Sequence, residues 1–151
     1  MARVTDVAEL VRVALAAVVG VGDDLGRCYV PDFDPADFSE NVKRIRVYAP
    51  LYADGGPLSR EQDTESYTVI VIVAERYMPA GIAGGDVPNA WIDSRVSWVE
   101  TNVVDLLSDA RQKLSPDIYC ETVEVVPFAE EPLTTDGMFW SSVAFVFRGE
   151  V

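Results

Sequence analysis

The sequence predicts a single α+β domain, residues 1–151, in which a mostly antiparallel sheet of four to five strands packs against two helices. The strongest strand signal is YTVIVIVAER, residues 67–76, which holds an unbroken β-branched run. Such stiff side chains fit a pleated strand better than a helix. Residues 5–19 and 90–114 instead repeat apolar side chains every three or four positions, which is typical of an amphipathic helix. A chain of 151 residues is long enough for one domain to bury a core.

Two strands are expected to be apolar on both faces. In residues 67–76, alternation separates two sets of apolar side chains: Val69, Val71 and Val73 on one face, and Ile70, Ile72 and Ala74 on the other. The strand at residues 138–149 divides in the same way: Phe139, Val143, Phe145 and Phe147 on one face, and Ala144 and Val146 on the other. Both faces of these strands should therefore be covered.

Capping signals mark the ends of the two predicted helices. Thr5 is expected to cap the first helix, whose first turn carries Asp6 and Glu9, where the helix dipole favours carboxylates. Asn89 is expected to cap the second helix, and Pro116 to end it.

Three further strands complete the predicted sheet, at residues 25–30, 42–50 and 117–128. In the last of them, alternation places Tyr119, Val123 and Val125 on one side. The AEEPLTTDG stretch that follows, residues 129–137, is expected to be a polar loop.

Basic residues alternate with apolar ones over residues 42–50. Ile45 and Val47 should point inward, and Arg44 and Arg46 outward. Basic side chains outside a half-buried strand suit a position near a sheet edge, where charge discourages stray pairing. In an acidic protein they equally suit docking to an acidic neighbour, so Arg44 and Arg46 are candidate assembly contacts.

Two irregular connections supply the other candidate assembly contacts. Residues 51–66 form a long polar stretch, and loops of more than about 12 residues tend to be functional or disordered. The alternatives here are a mobile tip and a segment that orders on a partner. Residues 77–89 hold two prolines and three glycines without a phosphate-binding pattern. The candidate contacts are Leu58 and Arg60 in the first stretch, and Tyr77, Met78 and Ile82 in the second.

Charge and residue usage exclude several classes of function. The chain carries 12 Lys and Arg against 25 Asp and Glu, a net charge of −13, which argues against ordinary nucleic-acid binding. Such acidity suits solubility, a wall past which DNA slides, or a mimic of DNA. The chain has no histidine and two cysteines, Cys28 and Cys120, so the usual zinc sites and Ser-His-Asp or Cys-His catalysis do not apply. We therefore predict no enzyme, no catalytic residue and no cofactor.

The loop between the first two strands is rich in acids, with Asp32, Asp34, Asp37 and Glu40. These carboxylates do not have the spacing of an EF-hand. Solvated acids are the expected interpretation, and a metal at Asp32, Asp34 and Asp37 is the minor alternative. No apolar run approaches the roughly 20 residues of a membrane span, and the N-terminal residues show no cleavable signal pattern.

The order of elements resembles the tail terminator, or tail completion, proteins of long-tailed bacteriophages and related tail-derived particles. The resemblance is carried by a series of segments along nearly the full chain: VAELVRVALAAVV, YVPDFDP, RIRVYAP with Ser59-Arg60 after it, YTVIVIVAER, WVETNVVDLL and FWSSVAFVFRG. It is a pattern of elements and includes no motif of invariant residues.

The resemblance implies a homohexameric ring that caps the head-proximal end of the tail tube, stops tube polymerisation and docks the head connector. Its partners would be further copies of itself, the tail tube protein and the head connector protein, with DNA only as passing cargo and no membrane. It would belong to the virion tail or neck, assembled in the host cytoplasm. The alternatives are another head–tail joining protein and an acidic DNA mimic, although acids spread over loops and both helices weigh against the mimic.

Overall fold

The computed structural model describes residues 4–20, 23–28, 38, 42–49, 59–61, 64–77, 87–108, 114 and 118–150. The strands are β1 (Asp24–Arg27), β2 (Arg44–Tyr48), β3 (Ser59–Glu61), β4 (Thr64–Arg76), β5 (Ile118–Val126) and β6 (Met138–Glu150). The helices are α1 (Val4–Ala16), α2 (Asn89–Val99), α3 (Asp105–Ser108) and α4 (Glu130–Asp136), and a π-helical turn at Glu100–Val104 joins α2 to α3. The predicted α+β class with a mostly antiparallel sheet is confirmed.

The strands form one sheet in the order β1-β2-β4-β6-β5. Among the described strands, only β1 and β2 are parallel neighbours, and the other pairs are antiparallel. β4 pairs with β6 along its whole length, from Thr64 opposite Glu150 to Arg76 opposite Met138. Because β6 occupies that edge of β4, β2 and β3 share the other edge. The two strands predicted to be apolar on both faces are therefore central in the sheet.

One face of the sheet, here called the core face, packs against the helices. Its buried strand residues are Ile45, Val47, Tyr67, Val69, Val71, Val73, Phe139, Val143, Phe145 and Phe147. The helices bury Val7, Val11 and Leu15 of α1, and Val99, Val103 and Leu107 of the α2–α3 segment, in the same cluster. The buried helical residues of α2–α3 recur every four positions, which exceeds the 3.6-residue period of an α-helix. In a regular α-helix, residues at this spacing would rotate gradually around the helix. The π-helical turn has more residues per turn, so it keeps these buried residues on one side.

The opposite face, here called the outer face, holds a smaller cluster. Ile72 and Ala74 of β4 and Met138 of β6 are buried there together with Phe38. Ile70 and Trp140 pack against this cluster and are only half-buried. Both faces of β4 are thus apolar, as predicted, but the buried residues of α1 and α2–α3 belong to the core face alone.

The helix boundaries correct the predicted caps. α1 begins at Val4, so Thr5 lies inside the helix and is not its N-cap. α2 is preceded by Pro88, whose φ of −65° and ψ of 141° give the extended cap conformation, and Asn89 is the first helical residue. The proline ring already fixes a φ suited to the cap position. The predicted end of this helix near Pro116 falls outside the described residues.

Two predicted loops contain regular structure. Within the predicted loop at 51–66, β3 and the start of β4 form antiparallel pairs, from Ser59 opposite Ser66 to Glu61 opposite Thr64. The predicted polar loop at 129–137 contains α4, which buries Leu133 and ends at Gly137 in the left-handed conformation with φ 65°. With a single buried apolar residue, α4 has no apolar periodicity by which the sequence would reveal it.

A β-bulge overturns the predicted face of Tyr119. The register between β5 and β6 shifts between Cys120 and Thr122, so one extra residue breaks the alternation. Tyr119 therefore lies opposite Arg148 on the outer face, whereas Val123 and Val125 lie opposite Phe145 and Val143 on the core face.

Candidate interaction surfaces

Of the candidate contacts predicted from the sequence, four lie within the described residues: Arg44, Arg46, Arg60 and Tyr77. Leu58, Met78 and Ile82 lie outside the described residues, as do Asp32, Asp34 and Asp37. Arg60 lies in β3, where its backbone is opposite Glu65. The side chain of Tyr77 is half-buried. Its ring packs edge-on against Trp91, with centroids 5.2 Å apart, and its N–H donates to the carbonyl of Gly137 at 2.8 Å.

Arg44 and Arg46 lie on the outer face of β2, each next to Asp24 of β1. Arg46 Nη2 is 2.7 Å from Asp24 Oδ2, and Arg44 Nε is 3.9 Å from the same oxygen. The hydrogen bond from Arg46 holds the pKa of Asp24 below the usual carboxyl range. Arg44 also lies over the ring of Phe38, 5.4 Å from its centroid. The strand carrying both arginines is one position in from the sheet edge, so the expectation of a strand near the edge is confirmed.

A buried carboxylate that was not predicted as a site residue, Glu75, lies on the core face beside the start of β2. Glu75 is 1% exposed, and its Oε2 accepts hydrogen bonds from Arg95 Nη2 at 2.6 Å and Nε at 3.1 Å. Its Oε1 is buried without a hydrogen bond and lies 3.9 Å from Lys43 Nζ. The sequence signal for this residue is its place in the alternation of β4, because Glu75 falls on the same side of the strand as Val71 and Val73.

The cations around Glu75 are held by aromatic rings and a second carboxylate. Lys43 Nζ lies 4.8 Å from the ring centroid of Trp98 and 4.0 Å from Asp23 Oδ2, and the Arg95 guanidinium lies 4.6 Å from the centroid of Trp91. Two carboxylates thus balance two cations. The cluster joins α2, the start of β2 and the end of β4, and we interpret it as a structural clamp.

The outer face has the composition of a protein interface. Its half-buried side chains form a mixed apolar, aromatic and basic surface: Arg44, Arg46, Tyr48, Thr68, Ile70, Trp140, Ser142, Ala144, Val146 and Arg148. Tyr, Trp and Arg are enriched at protein–protein interfaces. Burial raises the pKa of the Tyr48 hydroxyl, so this side chain stays neutral over the physiological range.

A second candidate surface is the edge strand β5. Of the five large hydrophobic side chains that are exposed within the described part of the chain, four lie on β5 or just after it. They are Tyr119 (42% exposed), Val125 (38%), Val126 (54%) and Phe128 (39%). The unpaired backbone groups of an edge strand are a template for pairing with another chain, and exposed apolar side chains favour that pairing.

The described residues give no indication of nucleophilic or metal chemistry. Cys28 and Cys120 are free thiols, and burial raises the pKa of each, which keeps them protonated at neutral pH. Within the described ranges, no three His, Cys, Asp or Glu side chains lie together as a metal site, and no helix is long and apolar enough to cross a membrane.

Comparison with known proteins adds no family to this description. A scan against protein-family models finds no match, and a search of curated proteins finds no significant match.

Proposed function

We propose that this protein is the tail terminator of a long-tailed bacteriophage or of a related tail-derived particle. In this role, six copies form a ring that caps the head-proximal end of the tail tube and stops its polymerisation. The ring then presents a docking face to the head connector. The protein acts as a structural part of the virion tail or neck, assembled in the host cytoplasm, and DNA passes through without specific binding.

The observation that carries the proposal is the one-sided placement of the helices. The buried residues of α1 and α2–α3 belong to the core face, while the outer face carries half-buried Tyr48, Ile70 and Trp140. A mixed surface of this composition is stabilised when a partner covers it. Contact with another copy, the tube or the connector would supply that cover.

The charge of the chain supports the passage of DNA. A net charge of −13 repels phosphates, so a channel lined by such a chain would let DNA slide without sticking. The same acidity is compatible with another head–tail joining protein, which is the nearest alternative function.

The test is the mass of the purified protein by light scattering after gel filtration, with negative-stain images of the same peak. Six copies of 16.6 kDa correspond to about 100 kDa, and we expect ring-shaped particles at that mass. Added to polymerising tail tube protein, the rings should bind one tube end and arrest its growth. Tubes that grow at an unchanged rate with no protein at their ends would contradict the proposal, whatever the mass in solution.

Binding to a DNA-processing enzyme would instead favour the DNA-mimic alternative. A mimic should inhibit a restriction endonuclease or a polymerase in competition with its DNA substrate. A terminator should leave both enzymes unaffected.

A further inference from the structure

The two edges of the described sheet, β1 and β5, differ in length and in chemistry. β5 has nine residues and exposes Val125 and Val126. β1 has four residues and exposes its charged ends, Asp24 and Arg27. A long apolar edge invites pairing, whereas the charges of a short edge restrict which strand can join it. β5 is therefore the edge suited to receive another strand.

The accessible part of β5 matches β1 in length. The bulge between Cys120 and Thr122 interrupts the ladder on one side, and Pro127, which has no N–H group to donate, follows on the other. Between them lie residues 122–126, a stretch of uninterrupted register of about the length of β1.

The directions of the two edge strands permit a head-to-tail contact. β1 runs parallel to β2 and therefore antiparallel to β4, while β5 runs antiparallel to β6 and therefore parallel to β4. β5 and β1 thus run in opposite directions. Two copies side by side in the same orientation bring β5 of one against β1 of the other as an antiparallel pair. Contacts between two different surfaces of a subunit are the kind that close into rings.

We propose that β5 of one copy adds to the β1 edge of the next, with Val125 opposite Leu25 and Glu124 opposite Gly26. This inference rests on the ring proposed above and names its subunit interface. Directly opposed residues must share a face of the sheet. Leu25 lies beside Ile45 and Val125 beside Val143, both on the core face, so this register joins the apolar side chains of Leu25 and Val125.

Arg46 supplies the charge that Glu124 meets in this register. Gly26 has no side chain, and Arg46 Nη1 lies 3.7 Å from the position that a Cβ atom there would occupy. The guanidinium already donates to the Asp24 carbonyl at 3.0 Å and to its carboxylate at 2.7 Å. With five N–H donors on an arginine, it can also bind the partner's carboxylate. Glu124 opposite Gly26 thus faces a positioned cation.

Charge favours this arrangement over the pairing of two β5 strands. β5 carries two carboxylates, Glu121 and Glu124, and no cation of its own. Glu121 pairs with Arg148 of β6. β1 and β2 together carry three cations against one carboxylate: Arg27, Arg44 and Arg46 against Asp24. Pairing two β5 strands would join two acidic edges, and like charges close together are destabilising.

Disulfide trapping tests the pairing directly. In a Cys28→Ser, Cys120→Ser background, Leu25→Cys and Val125→Cys are introduced into separate chains, which are mixed and oxidised. We expect a covalent dimer only in the mixture, and a ladder of covalent oligomers from a chain carrying both cysteines. Cα atoms of directly opposed strand residues lie within disulfide range. A dimer from Val125→Cys alone would overturn the proposal in favour of β5–β5 pairing.

A charge reversal with a matched control gives an independent readout. Glu124→Arg should shift the light-scattering mass from the ring toward 16.6 kDa, whereas Glu130→Arg, the same charge change on α4, should leave it unchanged. If Glu124→Arg still forms rings and the cysteine variants form no cross-links, the proposed interface is overturned but the proposed function is not. A covalent ladder whose particles are open chains supports the interface and contradicts the ring. Absence of both cross-links and assembly overturns the interface.

Discussion

Glu75 shows how one inward-facing charge connects distant parts of the chain. Alternation along β4 predicts that its side chain points into the core, and the structure places it there, 1% exposed. Its partners, Arg95 on α2 and Lys43 before β2, come from segments whose approach no local pattern encodes. The inward phase of this site could be predicted from sequence, but its ion pairs could not.

Removing Glu75 should destabilise the fold strongly. Glu75→Ala leaves the partly buried Arg95 without its carboxylate and Lys43 with Asp23 alone, and breaking a buried pair from one side costs about 3 kcal/mol. Urea unfolding followed by circular dichroism measures this loss. The control is Glu121→Ala, whose pair with Arg148 lies near the surface and should contribute less than about 1 kcal/mol. Equal losses in the two variants would show that the Glu75 cluster is not a clamp.

Asp24 should contribute to the loss of stability in acid. Its pKa is lowered in the folded chain, chiefly by the hydrogen bond from Arg46. A carboxyl group whose folded pKa is depressed stabilises the protein above its unfolded pKa of about 4. That stability is lost as the pH falls through the folded value. Urea midpoints between about pH 6 and pH 2 should therefore fall less steeply for Asp24→Asn than for the unmodified chain. Parallel curves would contradict this role for Asp24.

At the scale of elements, the predictions based on apolar periodicity are confirmed for β4 and β6. The errors concern α4, which lacks such periodicity, and β5, where a bulge interrupts it. The spacing of apolar residues in β4 and β6 predicted both strands and the faces of their side chains. α4 has one buried apolar residue, Leu133, so its real signals were the acids of its first turn and Gly137 at its end. The bulge in β5 leaves no trace in composition, which is why Tyr119 was assigned to the wrong face.

Gly137 ends α4 in a conformation that other residues adopt at a cost. Its φ is 65°, and its N–H donates to the carbonyl of Leu133 at 3.1 Å. Gly137→Ala should lower the free energy of unfolding by about 1 kcal/mol, because a Cβ atom is unfavourable in the left-handed region. The thermal midpoint of the variant measures this effect. Gly26→Ala is the matched control, since a Cβ there meets Arg46 only at an ordinary 3.7 Å. A larger shift for Gly26→Ala would contradict the explanation.

At the scale of the whole molecule, the sequence predicted that other parts of the protein or a partner would cover both faces of the two central strands. The structure adds which face the helices take, because that depends on where α1 and α2–α3 pack against the assembled sheet. Of the candidate surfaces, Arg44 and Arg46 were predicted by alternation. The β5 edge was not, because strand order depends on pairing between distant segments.

The pairing of β4 with β6 also affects the order in which the molecule becomes complete. β6 follows every other described element along the chain, yet it lies between β4 and β5. During synthesis, β5 leaves the ribosome before β6, the strand that it must join. β6 must also pair with β4, which lies far earlier in the chain, and such long-range pairing is slow. Within the described sheet, β6 is the only neighbour of β5, so its outer edge cannot be presented until β6 is in place. An incomplete nascent chain would therefore not present the proposed subunit interface.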